Sequence, residues 1–149
     1  MIDPVVIVIR IALALVFGAL IGIDREYRQK NAGLKTLTLV SIGAAGFALM
    51  TNTFGPGNHN PAQLAAAVVG GIGFIDAGVI MHRGATVEGV TTAATLWAAA
   101  NVGLACGLGY YTLAAVLTVA IVFVQVMFPR IERLIPRAPR KNSGENGEA

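Results

Sequence analysis

Long apolar runs alternate with short polar segments along the chain. Five runs approach the roughly 17–25 residues that an α-helix needs to cross the hydrocarbon core of a membrane. They cover residues 4–23, 34–50, 61–81, 91–106 and 110–128. Residues 107–109 predict a tight turn, because one helix through the last two runs would be far longer than a bilayer is thick. The pattern predicts an all-α polytopic membrane bundle of five transmembrane helices, in a domain covering residues 1–128.

Composition supports lipid rather than water as the surroundings of this bundle. Of the 149 residues, 55% are hydrophobic and 13% are charged, against roughly 25% charged in soluble domains. A chain of this length buries only about 70% of its surface on folding, so the apolar excess must face lipid. One Cys and two His leave too few ligands for a protein-only zinc site. His59 and His82 fall at opposite faces of the membrane, so they cannot converge in one catalytic site. We therefore expect no enzyme.

Basic residues predict the orientation of the five spans. Basic loops remain in the cytoplasm, and the connections at 51–60 and 107–109 contain no Lys or Arg. Apart from Arg10, the basic residues lie after the first span, after the third span and in the tail: Arg25, Arg28, Lys30, Lys35, Arg83, Arg130, Arg133, Arg137, Arg140 and Lys141. This predicts the N-terminus outside and the C-terminus inside.

The last segment, residues 129–149, differs in composition from the spans. It is rich in Pro, Arg, Asn, Gly and Glu, a composition that cannot bury a core. We expect a basic, mostly disordered cytoplasmic tail. Its first turns, at 130–135, either lie on the membrane surface or form the frayed end of a stop-transfer anchor.

Charged side chains inside or beside the spans are the candidate functional residues, because an ionisable group at mid-membrane costs roughly 2.5–3.5 kcal/mol on insertion scales. Asp76 is either a cation ligand or a carboxylate paired with a neighbouring helix. Arg10 is either its partner or a guanidinium that extends to the outer interface. Asp24 and Glu26 are either a solvated helix end, with an Asp24–Arg28 pair, or oxygen ligands that join Asp76 around Mg²⁺.

Uncharged polar residues and small residues predict packing between the helices. Hydroxyl and amide side chains bond across helices in membranes, which is the role expected for Thr91, Thr92, Thr95 and Asn101, while Trp97 is expected to wedge between helices. Small residues at helical spacing allow close helix contact: the pair Gly18 and Gly22 in the first span, Ala66, Gly70 and 74–78 in the third, and the pair Gly103 and Gly107 in the fourth. The alternative for residues 70–73 is a kinked or unwound stretch whose carbonyls line a cavity.

Two long blocks resemble the bacterial MgtC/SapB family: GALIGIDREYRQKNAGLKT at 18–36 and GIGFIDAGVIMHRGATVEGVTTAATLW at 71–97. Asp24 stands where the family usually has Glu. Asp76 stands where the family looks typically Gly, so the resemblance does not support Asp76 as a shared ligand. The motif positions that match the family pattern are Arg25, Glu26, Ala32, Gly33, Leu34, Gly71, Gly73, Gly78, Arg83, Gly84, Gly89, Thr91, Thr92, Ala93, Thr95 and Trp97.

The resemblance implies a multi-pass protein of the bacterial inner membrane, linked to growth at low magnesium and, in pathogens, to virulence and survival in phagocytes. For the virulence members it implies restraint of the rotary ATP synthase. The virulence protein for which the family is named also has a C-terminal domain resembling the ACT fold. This sequence shows no counterpart of that domain, so we expect the protein to be closer to the short, SapB-like branch.

Two functions follow as expectations. The first is a non-enzymatic protein of magnesium homeostasis that regulates a membrane partner, such as the ATP synthase. The second is an oligomeric Mg²⁺ transporter or channel, with Mg²⁺ on Asp24, Glu26 and Asp76. Both predict a homo-oligomer in the lipid bilayer, with a dimer favoured, and neither predicts a nucleic-acid partner.

Overall fold

The computed structural model describes residues 2–51, 61–83 and 86–135, and these form five helices and one short hairpin. The helices are α1 (Pro4–Tyr27), α2 (Leu34–Thr51), α3 (Pro61–Val79), α4 (Val90–Leu108) and α5 (Tyr111–Glu132). Strands β1 (Met81–Arg83) and β2 (Thr86–Glu88) pair antiparallel between α3 and α4. The structure confirms the predicted all-α bundle of five helices and adds this hairpin.

Length and composition make the bundle compatible with a membrane. Helices α1, α3, α4 and α5 are long and apolar enough to cross a bilayer, while α2 is apolar but shorter. Large apolar side chains remain exposed around the outside, including Val8, Phe74 and Val119. A surface of this kind requires lipid, so the chain is a membrane protein.

Helix α4 forms the centre of the bundle. Of the apolar 18-residue stretch that could cross a membrane, 67% is buried in α4, against 6% in α3 and 11% in α5. Helix α4 also contacts the other four helices. Leu96, Ala99, Val102 and Cys106 of α4 are completely or almost completely inaccessible to solvent. They pack with side chains of α1 and α2, such as Ile21. Helices α1, α2 and α4 therefore form the tight core, with α3 and α5 at its periphery.

Both ends of α4 require glycine. Gly89 precedes the helix with φ at 92°, and a β-carbon there would collide with the carbonyl oxygen of Val79. Gly109 follows the helix with φ at 89°, where its N–H donates to Cys106 O and the N–H of Tyr110 donates to Ala105 O. These two bonds form a Schellman motif, which ends the helix and produces the tight turn predicted near 107–109.

Three helix ends differ from the sequence predictions. Helix α1 continues through the charged segment to Tyr27, and α3 ends at Val79 where the hairpin begins. Helix α5 continues through Pro129 to Glu132, although a proline inside a helix removes one backbone hydrogen bond and crowds the preceding turn. Residues 136–149 of the predicted tail, the connection at 52–60 with His59, and Gly84 lie outside the described residues.

Candidate functional site

Arg25 lies buried where α1 meets the start of α4, with 4% of its surface exposed. Its Nε donates to Ala32 O at 2.8 Å, and its Nη2 donates to Thr92 Oγ1 at 2.8 Å. Its Nη1 donates to Thr95 Oγ1 at 3.2 Å, and that hydroxyl donates in turn to Thr91 O. One guanidinium thus joins α1, the α1–α2 connection and α4.

Glu26, the next residue, holds the other side of the same connection. Its Oε2 accepts the backbone N–H of Leu34 at 2.9 Å, which places a negative charge at the positive N-terminus of α2. A β-carbon on Gly33 would collide with this carboxylate. Glycine at position 33 is therefore required for Glu26 to reach Leu34.

We call Arg25, Glu26, Ala32, Gly33, Leu34, Thr92 and Thr95 the α1–α4 clamp. Its members are among the motif positions that the sequence singled out, and their hydrogen bonds and close contacts hold the ends of the helices together. The prediction that Thr92 and Thr95 bond across helices is confirmed. Arg25 is not solvated like the exposed residues around it at the end of α1, because the start of α4 covers it.

The three acids proposed for Mg²⁺ do not form one site within the chain. Asp24 pairs with Arg28 at 2.8 Å, and Glu26 accepts Leu34 N–H. Asp76 lies on α3, where its Oδ1 is buried and has no hydrogen-bond partner among the described residues. Within the described ranges, no group of three or more His, Cys, Asp and Glu side chains is placed to hold a metal ion. Within the described residues of one chain, these three acids are therefore not assembled around a common Mg²⁺ site.

Arg10 extends toward the turn between α4 and α5 rather than toward Asp76. Its Nη1 donates to Gly107 O at 2.7 Å, and its Nε donates to Tyr111 Oη at 3.3 Å. The guanidinium therefore lies at the C-terminus of α4, where a positive charge is favourable. Of the two alternatives for Arg10, the partnership with Asp76 does not form among the described residues, while extension to the outer interface stays a prediction.

Trp97 and Asn101 face outward, together with Thr91, along one side of α4. Trp97 is 47% exposed, so the prediction that it wedges between helices is wrong within one chain. Asn101 is exposed, and the cross-helix bond predicted for it is not among those the described residues form. This polar side chain lies on the outer surface of the most buried helix.

The predicted small-residue contacts form between some helices and not others. A β-carbon at Gly18 would lie 2.8 Å from Ser41 Cβ, and one at Gly22 would lie 2.7 Å from Leu34 Cα. Gly103 and Gly107 are crowded by α2 even more closely. The glycines of α3 behave differently, because a β-carbon built on any of them meets no atom of the described residues within 4 Å beyond its own stretch of helix: Gly70, Gly71, Gly73 and Gly78.

Helix α3 is continuous from Pro61 to Val79, so the alternative of an unwound stretch at residues 70–73 is wrong. The strand β1 that follows contains the motif residue Arg83, in register with Thr86. The glycines of α3 thus lie on exposed parts of the helix, outside the core of this chain.

Gln125 is a polar residue that the sequence interpretation missed. It lies within the apolar run of α5, and both polar atoms of its side chain are buried without a hydrogen-bond partner among the described residues. An amide inside an apolar span is the same kind of signal as Asp76 or Asn101. That signal was present in the sequence at residue 125.

The comparisons with known proteins agree in one family. The sequence model of the MgtC family matches residues 11–134 of this chain. Protein MgtC of Salmonella typhimurium is 41% identical over 138 residues, which are 93% of this chain and 59% of that protein. Protein MgtC of Brucella abortus is 42% identical over 134 residues, which are 89% of this chain and 56% of that protein. The chain thus spans a little over half of each relative, and no solved structure matches it.

Proposed function

Because the chain belongs to the MgtC family, we propose that it is a non-enzymatic, multi-pass protein of the bacterial inner membrane that supports growth at low magnesium by regulating a membrane partner. The observation that carries this proposal is the α1–α4 clamp. Arg25 and Glu26 are committed to holding helix ends together. The rotary ATP synthase is the candidate partner that the family resemblance implies.

A Mg²⁺ transporter or channel is the second candidate function. Asp76 favours it, because a buried carboxylate oxygen without a partner on the face of α3 is unfavourable unless a cation or a donor reaches it. Within the described residues of a single chain, this carboxylate belongs to no group of three or more His, Cys, Asp and Glu side chains that could hold a metal ion. Transport therefore requires several chains to bring their Asp76 side chains together.

Flux measurements separate the two functions. The purified chain is reconstituted in liposomes that contain a magnesium indicator, and the wild type is compared with Asp76→Asn and with Asp3→Asn. Asp3 is the control, because it caps the start of α1. Regulation predicts no Mg²⁺ uptake above empty vesicles, together with loss of growth at low magnesium when the gene is deleted. Uptake that Asp76→Asn abolishes and Asp3→Asn preserves would establish transport instead.

A homo-oligomer, with a dimer favoured, is part of the same proposal. The exposed glycines of α3 support it, because lipid-embedded helices associate where small residues allow close backbone approach. Phe74 on this helix is 85% exposed. We expect Phe74→Cys to form a disulfide-linked dimer in oxidised membranes, whereas Val119→Cys, on the exposed face of α5, should remain monomeric. Equal cross-linking at both positions would indicate random collision.

A further inference from the structure

A cavity of about 970 Å³ lies between α1, α4 and α5, at the end of the bundle where α1 ends and α4 begins. Its volume is that of a typical site for a small molecule. Its lining has two different parts. One part is polar and mostly basic, and the other consists of the apolar side chains Ala98, Ile121, Val124 and Phe128.

The polar part carries an excess of positive charge. Arg25, Arg28, Lys30 and Arg133 line it, against the acids Asp24 and Glu132. Arg28 and Asp24 largely neutralise each other through their ion pair. The partners of Arg25 are three neutral oxygens. A buried cation bonded only to neutral groups is stabilised further when an anion is placed beside it.

Two more features of the polar part favour an anionic ligand. The start of α4 borders the cavity at Gly89, which provides no side chain to cap the helix. The unpaired N–H groups and positive dipole at a helix N-terminus attract phosphate. Gln125 also lines the cavity, and both of its buried polar atoms lack a partner among the described residues. A buried amide of this kind is costly unless a ligand or water bonds to it.

The apolar part of the lining favours a lipid over a free ion as the ligand. Val124 and Phe128 are 44% and 48% exposed, so this side of the cavity opens to the surroundings of the bundle. In a membrane those surroundings are acyl chains. A ligand that fits both parts has a phosphate head and an apolar tail, and basic pockets between membrane helices bind such headgroups.

We propose that the cavity between α1, α4 and α5 binds the headgroup of an anionic phospholipid, with the phosphate at Arg25, Gln125 and Arg133 and one acyl chain along Ile121, Val124 and Phe128. The bound lipid fills the gap between α5 and the α1–α4 clamp. Inorganic phosphate shares the headgroup chemistry but has nothing to place in the apolar part.

Native mass spectrometry of the full chain in neutral detergent tests this assignment. The probes are phosphatidylglycerol and phosphatidylcholine with identical acyl chains, and inorganic phosphate. We expect saturable retention of phosphatidylglycerol at one molecule per chain, weaker retention of phosphatidylcholine, and no competition by phosphate. Equal retention of the two lipids would overturn the proposal. Competition by inorganic phosphate at the lipid's concentration would assign the site to a soluble anion instead.

Matched variants locate the site. Arg133→Gln should weaken phosphatidylglycerol binding about fivefold, the effect of removing one basic residue near an anionic lipid. Arg130→Gln makes the same change one turn earlier, at an exposed residue that does not line the cavity, and should leave binding unchanged. Equal weakening by both variants would mean general attraction to the basic surface, and would refute a site in the cavity.

Gln125→Leu separates binding from folding. It should reduce phosphatidylglycerol retention several-fold while leaving the melting temperature in neutral detergent unchanged or raised, because the amide has no partner to lose among the described residues. The control is Asn101→Leu, which replaces an exposed polar residue of α4 outside the cavity. A lowered melting temperature with normal retention would make Gln125 a structural residue and contradict its place in the site.

Discussion

The guanidinium of Arg25 acts on oxygens from two separate parts of the chain. Ala32 O belongs to the connection after α1, and the hydroxyls of Thr92 and Thr95 belong to the first turns of α4. The planar fork of arginine can reach acceptors in several directions at once, whereas the single nitrogen of lysine cannot. The position therefore requires the geometry of arginine as well as its charge.

Arg25→Lys should lower the free energy of unfolding by about 2 kcal/mol. Lysine preserves the buried charge but cannot maintain all three hydrogen bonds, each of which contributes about 1 kcal/mol net. Unfolding in a titration with SDS measures the change. Arg28→Lys is the control, because its ion pair with Asp24 is partly exposed and such pairs contribute less than about 1 kcal/mol. Equal losses at 25 and 28 would contradict a special role for the buried guanidinium.

At the scale of the helices, the close contacts of α2 depend on glycines from its neighbours. Gly18 and Gly22 of α1 lie against one part of α2, and Gly103 and Gly107 of α4 lie against another. Ser41 of α2 also donates from its Oγ to Ala14 O at 2.8 Å. Without a hydrophobic drive between helices in lipid, such backbone proximity and hydrogen bonding provide the packing energy.

Gly103→Ala should destabilise the chain by about 1–3 kcal/mol, the usual effect of overpacking. The new β-carbon would collide with the backbone of Ser41, which cannot move without shifting α2. Gly71→Ala is the matched control, since a β-carbon there meets nothing within 4 Å. Alanine should stabilise α3 by up to about 1 kcal/mol through its helix propensity. SDS unfolding of monomeric protein distinguishes the two, and a loss at Gly71 comparable to that at Gly103 would contradict the packing described here.

The sequence predicts the helices well because the physical requirement is simple. A membrane span needs a minimum apolar length, and the five apolar runs meet or approach it. The two glycine pairs on α1 and α4 are also confirmed. The burial of Arg25 could not be predicted from periodicity, because it depends on where α4 begins relative to the end of α1. The open glycines of α3 show the same limit, since spacing does not specify which face meets a neighbour.

At the scale of the whole molecule, the contacts define two distinct ends. Arg10 near the start of α1 bonds to Gly107 near the end of α4, while Arg25 near the end of α1 bonds to Thr92 near the start of α4. Helices α1 and α4 are therefore antiparallel. The turn between α4 and α5 lies at the first end. The second end carries most of the described basic residues, among them Arg28, Lys30 and Arg133.

This separation of charge predicts how the molecule lies in the membrane. Basic segments remain on the cytoplasmic side during insertion, so the end with Arg25 should face the cytoplasm and the α4–α5 turn should face outward. Tyr110 at the turn is 61% exposed, and Leu134 after α5 is 82% exposed, so both positions suit cysteine labelling. Cys106 is buried and should remain unlabelled.

In intact cells, an impermeant thiol reagent should label Tyr110→Cys, and Leu134→Cys should react only after the membrane is permeabilised. Tyr27→Cys, at another exposed position of the basic end, should behave like Leu134→Cys because α1 ends there. The reverse pattern would place the basic end outside. Labelling of both Tyr110→Cys and Leu134→Cys in intact cells would mean that α5 does not cross the membrane, since its two ends would then share one side of the bilayer.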